Sequence, residues 1–476
     1  MTFKTTLLAG TVLGVAALVS APALAQTTAR TTAPAATPSA PAVTAAQVDA
    51  LNKQIQALQS QLEGLKEQVG KDIKAVDKKV ADAPTVTLAN GRPRFQSADK
   101  AFDVAIRSRV HLDYGYWFVD QGLTTDLPDG FNFRRVFLGL NGTVFKDWGY
   151  DVTVDFSGRA NSSGRLQNFG LSYNGIKNWA FEIGAIQPSF TLMDSISSND
   201  IPFIERTQTN NLAVSIVANE ARLSAGFRHW GERYRVSVYA TGDQVGTASR
   251  DDQASIIARA SVLAATGPTF DVHLGTSGGY MYEAGADAGV PARNYSLSER
   301  PETRIGGLGG SGLNFNTGSI NTDDYAVYGG EFGATYRSFW TMAEYFRHEF
   351  SQRGGLPDVD FDSWYVAAGW LVTGERRPYN VATGAFGAPR VQWPFSTTSY
   401  GPGAFELAAR YSEADLTRDD VANATEGKQK IWTLGVNWYA NAAIRFMANY
   451  NIIKIERPVL VDTEADAFTM RAQIQF

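Results

Sequence analysis

The chain has 476 residues, 44% hydrophobic, 12% aromatic and 19% charged, with 45 Gly, no Cys and a formal net charge of −5. Zero cysteine excludes disulfides, thiolate zinc sites and cysteine nucleophiles, and the mildly acidic balance argues against a nucleic-acid binder. Few charges, many aromatics and no long apolar run beyond the extreme N-terminus exclude a helical membrane domain; a secreted all-β protein or a membrane β-barrel remains.

Lys4 precedes an apolar stretch, Leu7 to Val19, and Ala23-Leu24-Ala25 supplies a small-x-small cleavage pattern. Residues 1–25 therefore read as a secretory signal peptide. Residues 26–44 are Ala, Thr, Pro and Ser with no apolar period, the composition of a disordered linker. From 45 to 82 the pattern changes. Val48, Leu51, Ile55, Leu58, Leu62, Leu65 and Val69 alternate spacings of three and four, a heptad seam that Ile73, Val76 and Val80 continue after a stutter. So narrow a stripe predicts a coiled coil that self-associates, as a trimer; a helix folded against the rest of the chain is the alternative. Pro84 and Gly91-Arg92-Pro93 end it.

Beyond Phe102 the period is two. Val104, Ile106, Val110, Leu112, Tyr114 and Tyr116 share one face with Phe102 and Phe118, while Asp103, Arg107, Arg109, His111 and Asp113 share the other. An apolar face and a charged face along one strand fit a barrel in lipid with a wet interior, and equally a soluble sandwich. The pattern recurs in runs that begin at Trp148, Tyr234, Phe405, Ile444 and Phe468. Several links are very short, such as Lys146-Asp147, Gly231-Glu232, Arg337-Ser338 and Ala440-Asn441, and they alternate with long polar stretches such as Glu283 to Asp324. Short turns on one side and long loops on the other favour an outer-membrane barrel. About sixteen runs are countable over residues 95–476. An even number returns both barrel ends to the periplasmic side, where the coiled coil is then expected. The chain ends on Phe476, an aromatic closing an alternating strand.

Several stretches resemble the phosphate-selective porin O and P family: Phe133-Arg134-Arg135-Val136-Phe137-Leu138-Gly139; Gly184-Ala185-Ile186-Gln187-Pro188-Ser189-Phe190 with Pro202-Phe203-Ile204-Glu205-Arg206; Thr373-Gly374-Glu375-Arg376-Arg377-Pro378-Tyr379 with Gly401 to Tyr411; and Leu434 to Tyr439. The resemblance covers Ala101 to Phe476. It implies a homotrimer of 16-stranded antiparallel transmembrane β-barrels in the outer-membrane lipid, each with its own pore, narrowed by an infolded third loop. In this sequence that loop, Pro188 to Asn211, carries Asp194, Ser195, Ser198, Asp200, Glu205 and Arg206. An ordinary exposed loop is the alternative.

Strand alternation puts Arg107, Arg109, Arg235, Arg410, Arg445 and Arg471 on interior faces; Arg222, Arg228 and the paired Arg134-Arg135 are expected to join them. A charge on the lipid face near mid-bilayer costs about 2–4 kcal/mol, so the wet side is the default. Arginine matches oxyanions bidentately and keeps its charge, so a ladder of these residues suits small anionic solutes. Structural pairing with Asp103, Asp113, Asp151, Asp155, Glu182 and Glu331 is the competing expectation. Arg304, in a long loop, is expected to lie off the path. The resemblance implies lysines at a phosphate site, yet the third loop has none, so a general anion or small-solute pore fits as well as a phosphate or polyphosphate pore.

No cofactor and no metal are expected. His111, His229, His273 and His348 are dispersed without metal-ligand spacing, Gly139-Leu140-Asn141-Gly142 lacks the Lys of a phosphate loop, and no nucleophile-base pair is placeable, so enzymatic activity is not expected. The alternative function is structural: a barrel anchoring the outer membrane to the cell wall through its N-terminal segment.

Overall fold

The computed structural model describes residues 44–476 apart from 90, 122–126, 158–163, 246–250, 288–291, 305–312, 314, 399, 422–426 and 460. The expected signal peptide and all of the expected linker but Thr44 lie outside these residues. Helix α1 spans Ala45–Ala81 and buries none of its residues. At its start the Gln47 side chain reaches back to accept from the Thr44 N–H at 3.1 Å, one half of a capping box. Lys78 and Lys79 in its last turn complement the helix dipole. Its apolar seam is open to solvent along its length, from Val48 at 49% exposure to Val80 at 69%.

The remainder is a closed antiparallel barrel of sixteen strands. These are β1 Asp103–Gln121, β2 Gly130–Val144, β3 Trp148–Asp155, β4 Arg165–Tyr173, β5 Trp179–Ile186, β6 Arg222–Trp230, β7 Tyr234–Gln244, β8 Ala254–Thr266, β9 Phe270–Glu283, β10 Thr322–Tyr336, β11 Phe339–Gln352, β12 Val359–Leu371, β13 Ala404–Asp415, β14 Lys428–Tyr439, β15 Ile444–Glu456 and β16 Thr463–Gln475. β16 pairs back onto β1, with Ala467 opposite Trp117 and Gln475 opposite Arg109. Closure leaves no free edge along the paired length of the sixteen strands.

β1 extends past the end of β16, whose last residues pair with Arg109 and bond Ser108 through Phe476, so Asp103 to Arg107 overhang the closure. That overhang is covered by a hairpin of Thr85–Ala89 and Arg92–Gln96, whose second strand pairs Arg94, Phe95 and Gln96 with Ala105, Val104 and Asp103. The boundary read at residue 95 falls inside this second strand; the hairpin has too few residues to show a period.

Outward faces carry two aromatic belts. Phe405, Trp438 and Phe446 stack side by side near the short turns, and Trp364, Tyr411 and Trp432 meet at tilted angles nearer the long loops. Charged pairs such as Lys430–Glu456 at 2.9 Å begin just beyond the second belt. An apolar band between aromatic girdles is the outer surface of a transmembrane barrel. No helix among the described residues is long and apolar enough to cross a membrane.

On one side every connection but one has at most five residues. The exception is 372–403, between β12 and β13. It carries the Thr373-Gly374-Glu375-Arg376-Arg377-Pro378-Tyr379 motif and a small hairpin, Tyr379–Asn380 with Ala385–Phe386. This departs from the expected division into short turns and long loops, because the segment folds inward. Phe386 is buried with Leu192, Met193, Phe203, Trp340 and Tyr365 inside the barrel.

Candidate functional site

The third long-side connection, 187–221, crosses the barrel interior. It holds two short helices, α2 Leu192–Ser195 and α3 Gln208–Ser215, capped by Thr191 and Thr207, whose side chains accept from Asp194 N and Asn210 N. Apolar residues alone would not suspend a loop in a polar bore; wall side chains hold its backbone. Arg471 donates to Ile204 O at 2.6 Å, Arg445 to Ile201 O at 2.8 Å, Arg410 to Glu205 O at 3.1 Å, Arg377 to Asp200 O at 2.8 Å, and Asn437 to Pro202 O at 2.8 Å. Glu344 accepts from Leu192 N at 2.7 Å and Met193 N at 3.0 Å. Buried carbonyls and amides thereby keep partners.

These bonds change the standing of several arginines read as water-facing. Arg410, Arg445 and Arg471 face inward, but each is almost fully buried beneath the third loop. Arg235 is covered by the inward connection: a Cβ on Gly384, which sits at φ +61°, would lie 3.3 Å from Arg235 Cδ. Arg222 is buried and donates to Gly242 O. Arg135 is buried as deeply as Arg222. Alternation gives the face of a side chain, not what covers it, so the expectation of open arginines is corrected at these six positions.

Arg107, Arg109, Arg134 and Arg228 remain partly open, and Arg135 lies beside Arg134. Two consecutive residues cannot both point inward on a regular strand. Here a β-bulge makes it possible: His111 pairs with Arg135 and Leu112 with Phe133, leaving Arg134 as the extra residue. The competing expectation of wall ion pairs also holds in part. Arg107 pairs with Asp151, Arg228 with Glu182 at 3.2 Å, and Arg471 with Asp113 at 2.6 Å. Gly139 leaves room for Arg107: a Cβ there would lie 2.9 Å from its Nε.

Two adjoining cavities of about 520 and 440 Å³ run beside β1 to β7 and share Asp151, Asn168 and Gln187. The larger is lined by Arg92, Arg107 and Arg109; the smaller by Arg228, Glu182 and Tyr239. The opposite half of the interior is filled by an apolar cluster that includes Leu212, Val217, Leu297, Phe315, Phe346 and Ile431. Both of these cavities lie along the arginine-bearing wall.

Within the third loop, Glu205 is the electrostatic hub. Arg134 grips it with a fork at 2.7 and 3.1 Å, Arg471 lies at 3.2 Å and Arg304 at 3.7 Å. Burial opposes its charge, but these cations and Arg135 outweigh burial and hold its carboxyl well below the usual range. Arg304, expected in an outlying loop, therefore reaches the third loop at Glu205. Asp194 accepts from Gln187 Nε2 at 2.6 Å; burial pushes its pKa up to about 6. Burial also raises that of Asp200. Ser198 accepts from Arg109, Ser195 donates to Thr191 O at 2.6 Å, and Arg206 donates to Ile196 O at 2.8 Å.

Sequence reasoning missed Arg92, Arg259 and Arg377. Arg259 forks onto Glu331 at 2.8 and 3.1 Å, and the alternation of β8 could have shown it. Arg377 forks onto Glu406 at 2.8 and 2.9 Å, and nothing local says that its connection enters the barrel.

The family profile described as phosphate-selective porin O and P matches residues 104–476. Porin O of Pseudomonas aeruginosa is 24% identical over 421 residues, covering 83% of this chain and 93% of that protein. Among solved structures, the outer membrane protein OmpT of Vibrio cholerae is similar at 11% identity and a TM-score of 0.47, over 79% of this chain and 98% of that one. The outer membrane channel DcaP of Acinetobacter baumannii is similar at 15% identity and a TM-score of 0.46, over 80% and 99%.

Proposed function

The chain belongs to the phosphate-selective porin O and P family and is an outer-membrane channel, and we propose that it conducts small anions by passive diffusion, phosphate among them, along the wall carrying Arg107, Arg109 and Arg228, with Arg134 and Arg135 behind it at the third loop. The observation that carries this reading is the open volume lined by Arg92, Arg107, Arg109 and Arg228, whose carboxylates are Asp151 and Glu182 and whose neutral polar lining includes Gln167, Asn168, Gln187 and Thr153. Fixed cations replace part of an anion's hydration shell without binding it too tightly to leave. The partial pairing of Arg107 and Arg228 with carboxylates tempers the attraction, so a weak and general anion preference is the form we propose, with no bond chemistry performed.

Three barrels joined as a homotrimer, with the α1 seams wound together in the periplasm, complete the proposal. A seam of Val, Leu and Ile exposed among the described residues suits a second and third copy of itself.

Purified protein in planar bilayers under a salt gradient tests it. A reversal potential of the sign set by chloride, with chloride current reduced by added phosphate, is expected. Cation preference would refute the anion reading and leave the channel standing.

A further inference from the structure

Resting on the anion-channel reading, we propose that the hairpin ahead of the barrel supplies part of the ion path: Arg92, with Arg107 and Arg109, forms a small-oxyanion site at the short-turn mouth.

Arg92 lies outside the stretch matched by the family, which begins at residue 104. It enters the bore because its strand continues the sheet across the overhang of β1. There Arg92 donates to Asn141 of β2, so it is fixed against the barrel wall. Arg107 reaches the same cavity from β1, held by Asp151 and Thr153. Arg109, two residues along the same face, is pinned by Ser197 at 3.2 Å and Ser198 of the third loop and lies over the Phe137 ring at 5.2 Å.

The side chains lining this cavity of about 520 Å³ include three guanidiniums and one carboxylate, that of Asp151. Its other side chains are neutral, with Gln167, Asn168, Gln187 and Asn199 among them able to donate. Positive charge is in excess: Asp151 is engaged by Arg107, which leaves Arg92 and Arg109 without a carboxylate partner among the lining side chains. The Nε of Arg92 and the Nε of Arg109 are buried with no hydrogen-bond partner. Burial and the nearby Arg107 and Arg94 lower the pKa of Arg92, the mark of a cation whose neighbours leave its charge under-compensated. A bound anion supplies what is missing: charge and acceptor oxygens together. A tetrahedral oxyanion such as phosphate fits within the volume and can accept from several guanidiniums at once. Short turns face the periplasm, so the site stands where solutes leave the channel.

The test is one-sided block of chloride current by inorganic phosphate in bilayers holding the full chain. In the native protein, phosphate added on the short-turn side blocks at a lower concentration than in Arg92→Gln, by about three- to tenfold for loss of one charge in a wet mouth. Block from the opposite side stays within about twofold, and Arg92→Lys keeps most of the short-turn-side block. Equal block in the native protein and Arg92→Gln overturns the hairpin site while the anion channel stands. Loss in both Arg92→Gln and Arg92→Lys assigns Arg92 to holding the hairpin through Asn141, which also overturns it. Native protein that phosphate blocks from neither side overturns the site and the phosphate reading together.

Discussion

Glu205→Gln is the most discriminating single change, because it alters charge while nearly preserving volume. The native carboxylate is gripped by Arg134 through two hydrogen bonds and flanked by Arg471 and Arg304. Arg471 retains Asp113 and the Ile204 carbonyl in the variant; Arg134 is left with one neutral acceptor. Weakening one buried charge-assisted fork costs about 2–3 kcal/mol, which should lower the temperature at which the folded barrel is lost on heated gels. Meanwhile the interior gains one net positive charge. At about 7 Å in a water-like medium that charge is worth about 0.6 kcal/mol to a passing anion, or nearly threefold in relative permeability. The variant is therefore less stable and more anion-selective, measured as a larger reversal potential under the same salt gradient. The carboxyl of Glu205 is held well below its ordinary range. Its contribution is thus fully present above the unfolded carboxylate pKa of about 4 and is lost only as pH falls through the depressed folded value. The stability gap between native and variant should stay constant from pH 7 to pH 5. An unchanged or smaller reversal potential in Glu205→Gln would refute the placement of this hub beside the ion path.

Two further outcomes follow from other parts of the molecule. Asp194 titrates at about 6, so anion preference should rise as pH drops from 7 to 5 and the carboxyl takes up its proton; Asp194→Asn should abolish that step, and a step surviving in the variant would contradict its assignment. Because its folded pKa is raised, Asp194 favours the folded state below the ordinary aspartate value of about 4 and loses that contribution as pH climbs through 6. In this cysteine-free chain, Leu62→Cys on the α1 seam should give disulfide-linked dimers under mild oxidation while Ser60→Cys, on the opposite face, should not; equal linking of both would exclude a wound seam.

The sequence by itself determined the wall. Alternation from Phe102 onward, short links such as Arg337-Ser338 and the heptads from Val48 were enough to give a barrel, its inside and outside faces, and a long helix, because these depend on periodicity that each strand or turn carries locally. Tertiary structure alone decided what fills the barrel. Whether Arg410 or Arg471 meets water depends on a loop more than two hundred residues away in the chain, and the inward course of 372–403 depends on Phe386 finding Leu192 and Trp340. The bulge that turns both Arg134 and Arg135 inward is a matter of pairing with β1. None of these leaves a period, since each is set by a contact between segments that are remote in sequence and meet only once the cylinder has closed.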